Sequence, residues 1–248
     1  MNWIFPIAGF GTRTSSLGKY KPFVEPIDGY SILNICLLGL KSLINKDDSL
    51  IFITTKPHDE ECSVEFNIQK LIKRIGLNNM VDVVILPHTP KGQALTLKEG
   101  IENLERDIAK ERVIVINSDQ LVFFDLKKID MANCAVGLYF NDGNSSCFYE
   151  LNLKSNLVMG IKEKEKISNY ASAGVFYFTS VQRLLECINW GIKNNKIHNG
   201  ELYLGPCMEY LDRLSFFKTL IKFDLGNTDN INLFKRFGNG FLPTGDNI

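Results

Sequence analysis

The sequence has no excess of either charge: 28 lysines and arginines are matched by 28 aspartates and glutamates in 248 residues. No global field therefore draws the chain to nucleic acid or to an anionic membrane surface, and any anion site must be local. The six cysteines contain no CxxC pair and keep no spacing with histidine that suggests zinc, so reduced, mostly buried thiols are expected. Histidine is scarce. His58, His88 and His198 are scattered in polar stretches, expected to be solvated, with no serine, cysteine or acid beside them in a triad pattern. No apolar run reaches transmembrane length, and Met1 to Ile7 is too short for an export segment, which makes the cytoplasm the expected location. No internal repeat and no linker interrupt the chain.

What the chain does have is apolar mass. With 45% hydrophobic residues it can bury a substantial core. Short apolar runs at Trp3 to Ile7, Leu50 to Thr54, Val81 to Leu86 and Val113 to Asn117 read as strands without polar alternation. Helical periodicity separates them, at Ile32 to Leu43 with Ser31 as its cap, at Ser63 to Ile75 and at Gly92 to Leu104, while Lys56-Pro57 reads as a turn. Continuous apolar strands alternating with helices require a parallel sheet covered on both faces. From Cys134 the texture changes, with strands expected at Ala135 to Phe140, Ser146 to Leu153, Val158 to Glu163 and Gly174 to Phe178, as in a mixed or antiparallel extension. A helix over Val181 to Asn194, another around Met208 to Leu214, a strand over Phe217 to Leu225 and a helix near Asp229 to Phe237 complete the prediction, and the tail from Gly238 to Ile248 is expected to be loosely held.

The organising stretch is IAGFGTRTSSLGKYKPFVEP, Ile7 to Pro26, where the first strand gives way to a glycine-rich, basic loop. Gly9 and Gly11 allow a sharp turn and let backbone N–H groups approach an anion; Arg13 adds a fork of donors and Lys21 a point charge. A plain turn is the alternative for a bare GxG. The loop is neither a Walker loop nor a dinucleotide fingerprint, since GxxxxGK[ST] spacing is absent and position 14 is threonine. Two aspartates stand at the ends of apolar runs, Asp119 in INSDQ and Asp224 in KFDLGNTDNI; each could equally be a turn carboxylate.

GFGTR, seven intervening residues and then KP resemble the signature loop of the sugar-nucleotidyltransferase family, whose compact members activate sugar 1-phosphates or small phosphorylated alcohols and amines for capsule and surface-glycan assembly. SNYASAG after an EK pair is the next most specific likeness. The resemblance spans nearly the whole chain and implies an α/β fold, a Rossmann-like mixed sheet flanked by helices, in a single domain. Its nucleotide-binding part would cover about 1–124, a small acceptor-binding extension about 125–215, and a closing strand and helix 216–248.

It also implies roles. Arg13, Lys21 and Lys164 would be the catalytic cations, although Lys162 and Lys166 leave the register of Lys164 open by two. Ala8, Gly9, Gly11, Thr12, Gln93 and Ser118 would bind the nucleotide, with the Gln93 amide reading a base edge. Asn169, Gly174 and Glu201 would shape the acceptor pocket, and Asp119 and Asp224 would hold Mg²⁺. Ser118, where the family usually has glycine, and Gln120 depart from its pattern. The implied reaction joins a nucleoside triphosphate, CTP favoured among pyrimidines, to a phosphorylated acceptor with release of pyrophosphate. Partners are then the triphosphate and the acceptor, with a homodimer allowed and neither nucleic acid nor membrane involved. The alternatives are a nucleotide-sugar-dependent glycosyltransferase of the related fold and a catalytically silent nucleotide-binding subunit.

Overall fold

A computed structural model describes residues 1–9 and 20–241. Gly11, Thr12 and Arg13 of the glycine-rich loop, and the tail past 241, lie outside the described residues. The chain opens with β1 (Asn2–Pro6) and, after the loop, α1 (Ile32–Leu40), whose cap is Ser31: its Oγ accepts from Asn34 N at 3.2 Å. Next come β2 (Ser49–Thr55), α2 (Lys56–Cys62), α3 (Val64–Arg74), β3 (Met80–Leu86), α4 (Gln93–Glu102), β4 (Val113–Ile116) and β5 (Gln120–Phe123). The second half contributes β6 (Ala135–Phe140), β7 (Cys147–Asn152), β8 (Leu157–Glu163), β9 (Tyr170–Phe178) and α5 (Val181–Lys193). The short β10 (Ile197–His198) and β11 (Glu201–Leu202) follow, then α6 (Leu204–Cys207), β12 (Ser215–Lys218), β13 (Ile221–Asp224) and α7 (Thr228–Phe237).

Nine strands form one mixed sheet in the order β3-β2-β1-β4-β9-β6-β12-β8-β7. The first four are mutually parallel; β9 runs antiparallel to both β4 and β6, and β12 lies parallel to β6 but antiparallel to β8. Buried alternation in β1 shows why its run is apolar throughout: Ile4 enters the core on the α4 and α5 face, while Trp3 and Phe5 enter the core on the α1 and α3 face. Both faces of the strand are dry, as the sequence predicts. A third apolar cluster joins Ile32 and Ile35 of α1 to Leu121, Leu225, Ile231 and Phe234. It seats the two-stranded β5–β13 sheet and α7 against the side of α1.

Three local expectations are corrected. Lys56-Pro57 starts a helix rather than a turn, because proline is tolerated in the first helical turn, where its missing N–H has no partner to lose. The run Phe217 to Leu225 is two strands, β12 in the large sheet and β13 paired with β5, separated where Leu220 N donates to Phe123 O at 2.8 Å. The helix expected around Met208 to Leu214 begins earlier, as α6, and ends in a 3-10 turn over Met208–Tyr210.

Candidate functional site

The carboxyl ends of β1, β3 and β4 open on a cleft with two lobes, of about 270 and 540 Å³. In parallel α/β sheets this is the edge where ligands bind. Ala8, Gly9, Gln93 and Ser118 line the first lobe together with Thr89, Pro90 and Thr96. Lys164, Gly174, Asp224, Ser146, Ser172 and Lys222 line the second. Gly9, Lys21, Gln93, Asn117, Asp119, Glu201 and Tyr203 belong to both.

Asp119 and Asp224 are brought together by the β5–β13 ladder. Asp224 pairs with Gln120, Leu225 N donates to Asp119 O at 2.7 Å, and Gly226 N donates to Asp224 Oδ1 at 2.7 Å. A Cβ on Gly226 would stand 2.8 Å from Asp224 Oδ1 and 3.1 Å from Asp119 Oδ2, so the two carboxylates converge on one point. Lys21 reaches the same place, its Nζ 2.5 Å from Asp119 Oδ2. Among the described residues no group of three or more histidine, cysteine, aspartate or glutamate side chains is placed to hold a metal ion. Two hard carboxylates beside a cleft suit Mg²⁺, which takes one or two carboxylates and completes its shell with phosphate oxygens and water.

Between the lobes runs a chain of hydrogen bonds. Gln93 Nε2 donates to Asn117 Oδ1 at 2.6 Å, and Asn117 N donates to Gly174 O at 2.8 Å. Gly174 has φ +66°, and a Cβ there would lie 2.7–2.8 Å from the Asn117 side chain, so the position excludes any larger residue. Gln93 is the first residue of α4, and Gly92, Gln93 and Thr96 of that helix start line the first lobe. Gly92 caps it at φ +107°, its hydrogens packed on the Leu202 backbone, where a Cβ would come within 2.5 Å.

The three candidate lysines after β8 part company. Lys162 is exposed and lines a separate groove with Met208 and Leu214, and Lys166 Nζ donates to Asp142 O at 2.6 Å. Lys164 alone of the three lines the cleft, on a left-handed residue (φ 55°) whose N–H donates to Ser146 O, with Nζ 3.5 Å from the Tyr203 hydroxyl. Asn169 is not brought into the site: it is exposed, outside both lobes, and its carbonyl accepts from Asn141 N at 2.9 Å. Glu201 lines both lobes from β11.

Among the lining residues that escaped the sequence reading, Glu163, Asn117, Tyr203 and Lys222 matter most for charge and hydrogen bonding. Glu163 belongs to the EK pair already singled out; burial raises its carboxyl above the usual range, opposed by a Cys147 hydrogen bond and by the Lys164 charge. Asn117 and Tyr203 carry no local signal. Lys222 sits two residues before Asp224 within the strand expected over Phe217 to Leu225, and the alternation of that strand places the two on the same face. The expectation that all three histidines are solvated fails for His58, which is 8% exposed, hydrogen-bonded to Thr55 Oγ1 at 2.9 Å and stacked on Tyr20, its imidazole pushed toward neutrality by burial. The six thiols are unpaired, and five of them are buried.

No family model matches the chain, and no curated protein matches it either. Solved structures do. A nucleoside-diphosphate-sugar pyrophosphorylase from Vibrio cholerae superposes with a TM-score of 0.79 at 19% identity, covering 94% of this chain and 99% of that one. HddC from Yersinia pseudotuberculosis, complexed with GMP-PN, gives 0.64 at 17% identity over 95% and 98% of the two chains. The inositol-1-phosphate CTP transferase from T. maritima gives 0.66 at 14% identity over 96% of each. The chain therefore has the fold of the nucleotide-sugar pyrophosphorylases and related nucleotidyltransferases.

Proposed function

We propose that the protein is a nucleotidyltransferase that joins a nucleoside triphosphate to a phosphorylated sugar or small phosphorylated alcohol or amine, releasing pyrophosphate. The observation that carries this reading is the convergence of Lys21, Asp119 and Asp224 at the junction of two lobes, with Lys164 lining the second. A site at such a junction holds two anions, one in each lobe, and brings an acceptor phosphate oxygen to the α-phosphorus without a covalent enzyme intermediate. Most of the rate enhancement then comes from alignment and from charge neutralisation in a preorganised cleft.

Each residue has a task in this scheme. Lys21 sits where the triphosphate and acceptor meet and offsets negative charge in the transition state, joined by Arg13. Lys164, held at the Tyr203 hydroxyl, orients the acceptor phosphate. The α4 start and Gln93 meet the nucleotide, one Gln93 N–H being committed to Asn117. Asp119 and Asp224 would hold Mg²⁺, which when bound neutralises phosphate charge and polarises the reacting phosphoryl group. A pyrimidine donor, CTP first, and a role in capsule or surface-glycan assembly belong to this proposal, as does a cytoplasmic setting. No helix among the described residues is long and apolar enough to cross a membrane.

The test is pyrophosphate release over a matrix of the nucleoside triphosphates against phosphorylated sugars, polyols and amines. Release that depends on both substrates is expected. A glycosyltransferase would instead consume a ready-made nucleotide sugar, and a silent binding subunit would release nothing.

A further inference from the structure

The second lobe holds one more cation than the reaction needs. Lys222 and Asp224 occupy alternate positions of β13 and both line the lobe, while Phe223 between them turns the other way and meets the Phe234 ring at 5.1 Å. Lys222 Nζ lies 4.3 Å from the centre of the Tyr139 ring, as Lys164 Nζ lies 5.1 Å from that of Tyr203. Each lysine thus lies against an aromatic ring, Tyr203 within the lobe and Tyr139 behind its lining. Among the described residues neither has a carboxylate within 4.0 Å, whereas Lys21, the third lysine of the lobe, is paired with Asp119. A cation–aromatic contact at a half-exposed site is a weak substitute for a counter-ion.

Lys222 also stands apart from the reacting centre. Two residues along a strand is about 6.6 Å, so its root is displaced from that of Asp224 by roughly the width of a sugar ring. We propose that Lys222 is an acceptor-binding residue that meets a second anionic group, a carboxylate or a further phosphate, at the end of the acceptor away from the phosphate that is nucleotidylated. The inference rests on the nucleotidyltransferase reading and narrows its acceptor to a doubly anionic compound.

Calorimetric titration of the full chain in magnesium buffer tests it with three probes: glucose 1-phosphate, glucuronic acid 1-phosphate and glucose 1,6-bisphosphate. At least one of the doubly anionic probes should bind about tenfold more tightly than glucose 1-phosphate. Preference for the uronate identifies a carboxylate, and preference for the bisphosphate a phosphate. Lys222→Met should collapse the ratio to near one, and Lys222→Arg should retain most of it. Lys218→Met, which removes a like contact to the Tyr170 ring outside the cleft, should leave it unchanged. Equal binding of all three probes, a ratio that survives in Lys222→Met, or no binding of any probe overturns the inference. Pyrophosphate release without that ratio removes this inference and keeps the function; the ratio without any pyrophosphate release removes the function and leaves an anion site.

Discussion

Lys21 and Asp119 form an ion pair of 2.5 Å at the point where the two lobes of the cleft meet, with the lysine 16% and the carboxylate 26% exposed. One carboxylate therefore holds the lysine and also stands beside Asp224, as half of the magnesium site proposed above. Cation and carboxylate are preorganised before any substrate arrives. Lys21→Ala and Arg13→Ala should each lower turnover by about two orders of magnitude or more, as when a charge-stabilising donor is removed from such a site. Steady-state pyrophosphate release at saturating substrate checks this, with circular dichroism unchanged; near-normal rates in both variants would remove the loop from triphosphate chemistry.

Asp119→Asn and Asp224→Asn should both raise the magnesium concentration needed for half-maximal rate, or abolish turnover, because the pair supplies the protein's share of the coordination shell. A metal titration of each variant decides it. If only one responds, or if a chelator leaves the wild type active, the two-aspartate site is wrong.

Gly226→Ala would put a methyl group 2.8 Å from Asp224 Oδ1 and 3.1 Å from Asp119 Oδ2. Both contacts are to side chains, so the fold can accommodate the change by moving the carboxylates. A magnesium requirement raised about tenfold, the usual scale for a disturbed ligand support, should accompany a melting temperature close to that of the wild type. An unchanged metal requirement contradicts the convergence of the two acids on one ion.

For the nucleotide, the proposed function expects pyrimidines over purines, with the Gln93 amide meeting a base edge where a mismatch would leave a buried polar group unpaired at about 1–3 kcal/mol, and CTP over UTP and dTTP by analogy with compact cytidylyltransferases. The measurement is kcat/KM for CTP, UTP, dTTP, ATP and GTP with one working acceptor. A clear preference for GTP or ATP would end the role given to Gln93.

Glu163 gives a pH dependence of known sign. Burial raises its carboxyl above the ordinary 4.5, so the folded chain keeps a proton over a range where the unfolded chain has lost it. That contribution to stability is complete below the ordinary value and is lost as pH rises through the folded one. Between about pH 4.5 and about pH 8, urea midpoints of the wild type should fall relative to those of Glu163→Gln. Parallel midpoints in the two proteins would contradict the burial argument.

Much of the fold was legible because its signals are local. The parallel half is written in unbroken apolar strands, since Trp3, Ile4 and Phe5 must all be buried whichever face they take. Ser31 marks the start of α1 through its own side chain. The elements missed are those whose identity is set by partners far along the chain. QLVF, given no element from the sequence, becomes a strand only when Ile221–Asp224 arrives to pair with it, and the break at Thr219 and Leu220 is visible only once β12 and β13 are seen in different sheets. In the site, motif-bearing positions such as Gly9, Lys21, Asp119 and Asp224 could be read from resemblance. Asn117 and Tyr203 could not, because their part depends on which side chains stand across the cleft, while Lys222 follows from Asp224 only by strand alternation.

The packing of Gly92 against Leu202 ties the two lobes into one wall. Leu202 N donates to Lys91 O at 3.0 Å just before α4 begins, and Glu201 and Tyr203, on either side of it, face both lobes. A substitution at 92 that reshapes the first lobe, the proposed nucleotide side, must push on the strand that carries Glu201 into the second, the proposed acceptor side. Under the proposed function, preference for one substrate would be mechanically linked to preference for the other, and variants selected for a new nucleotide should drift in acceptor choice without any mutation in the second lobe.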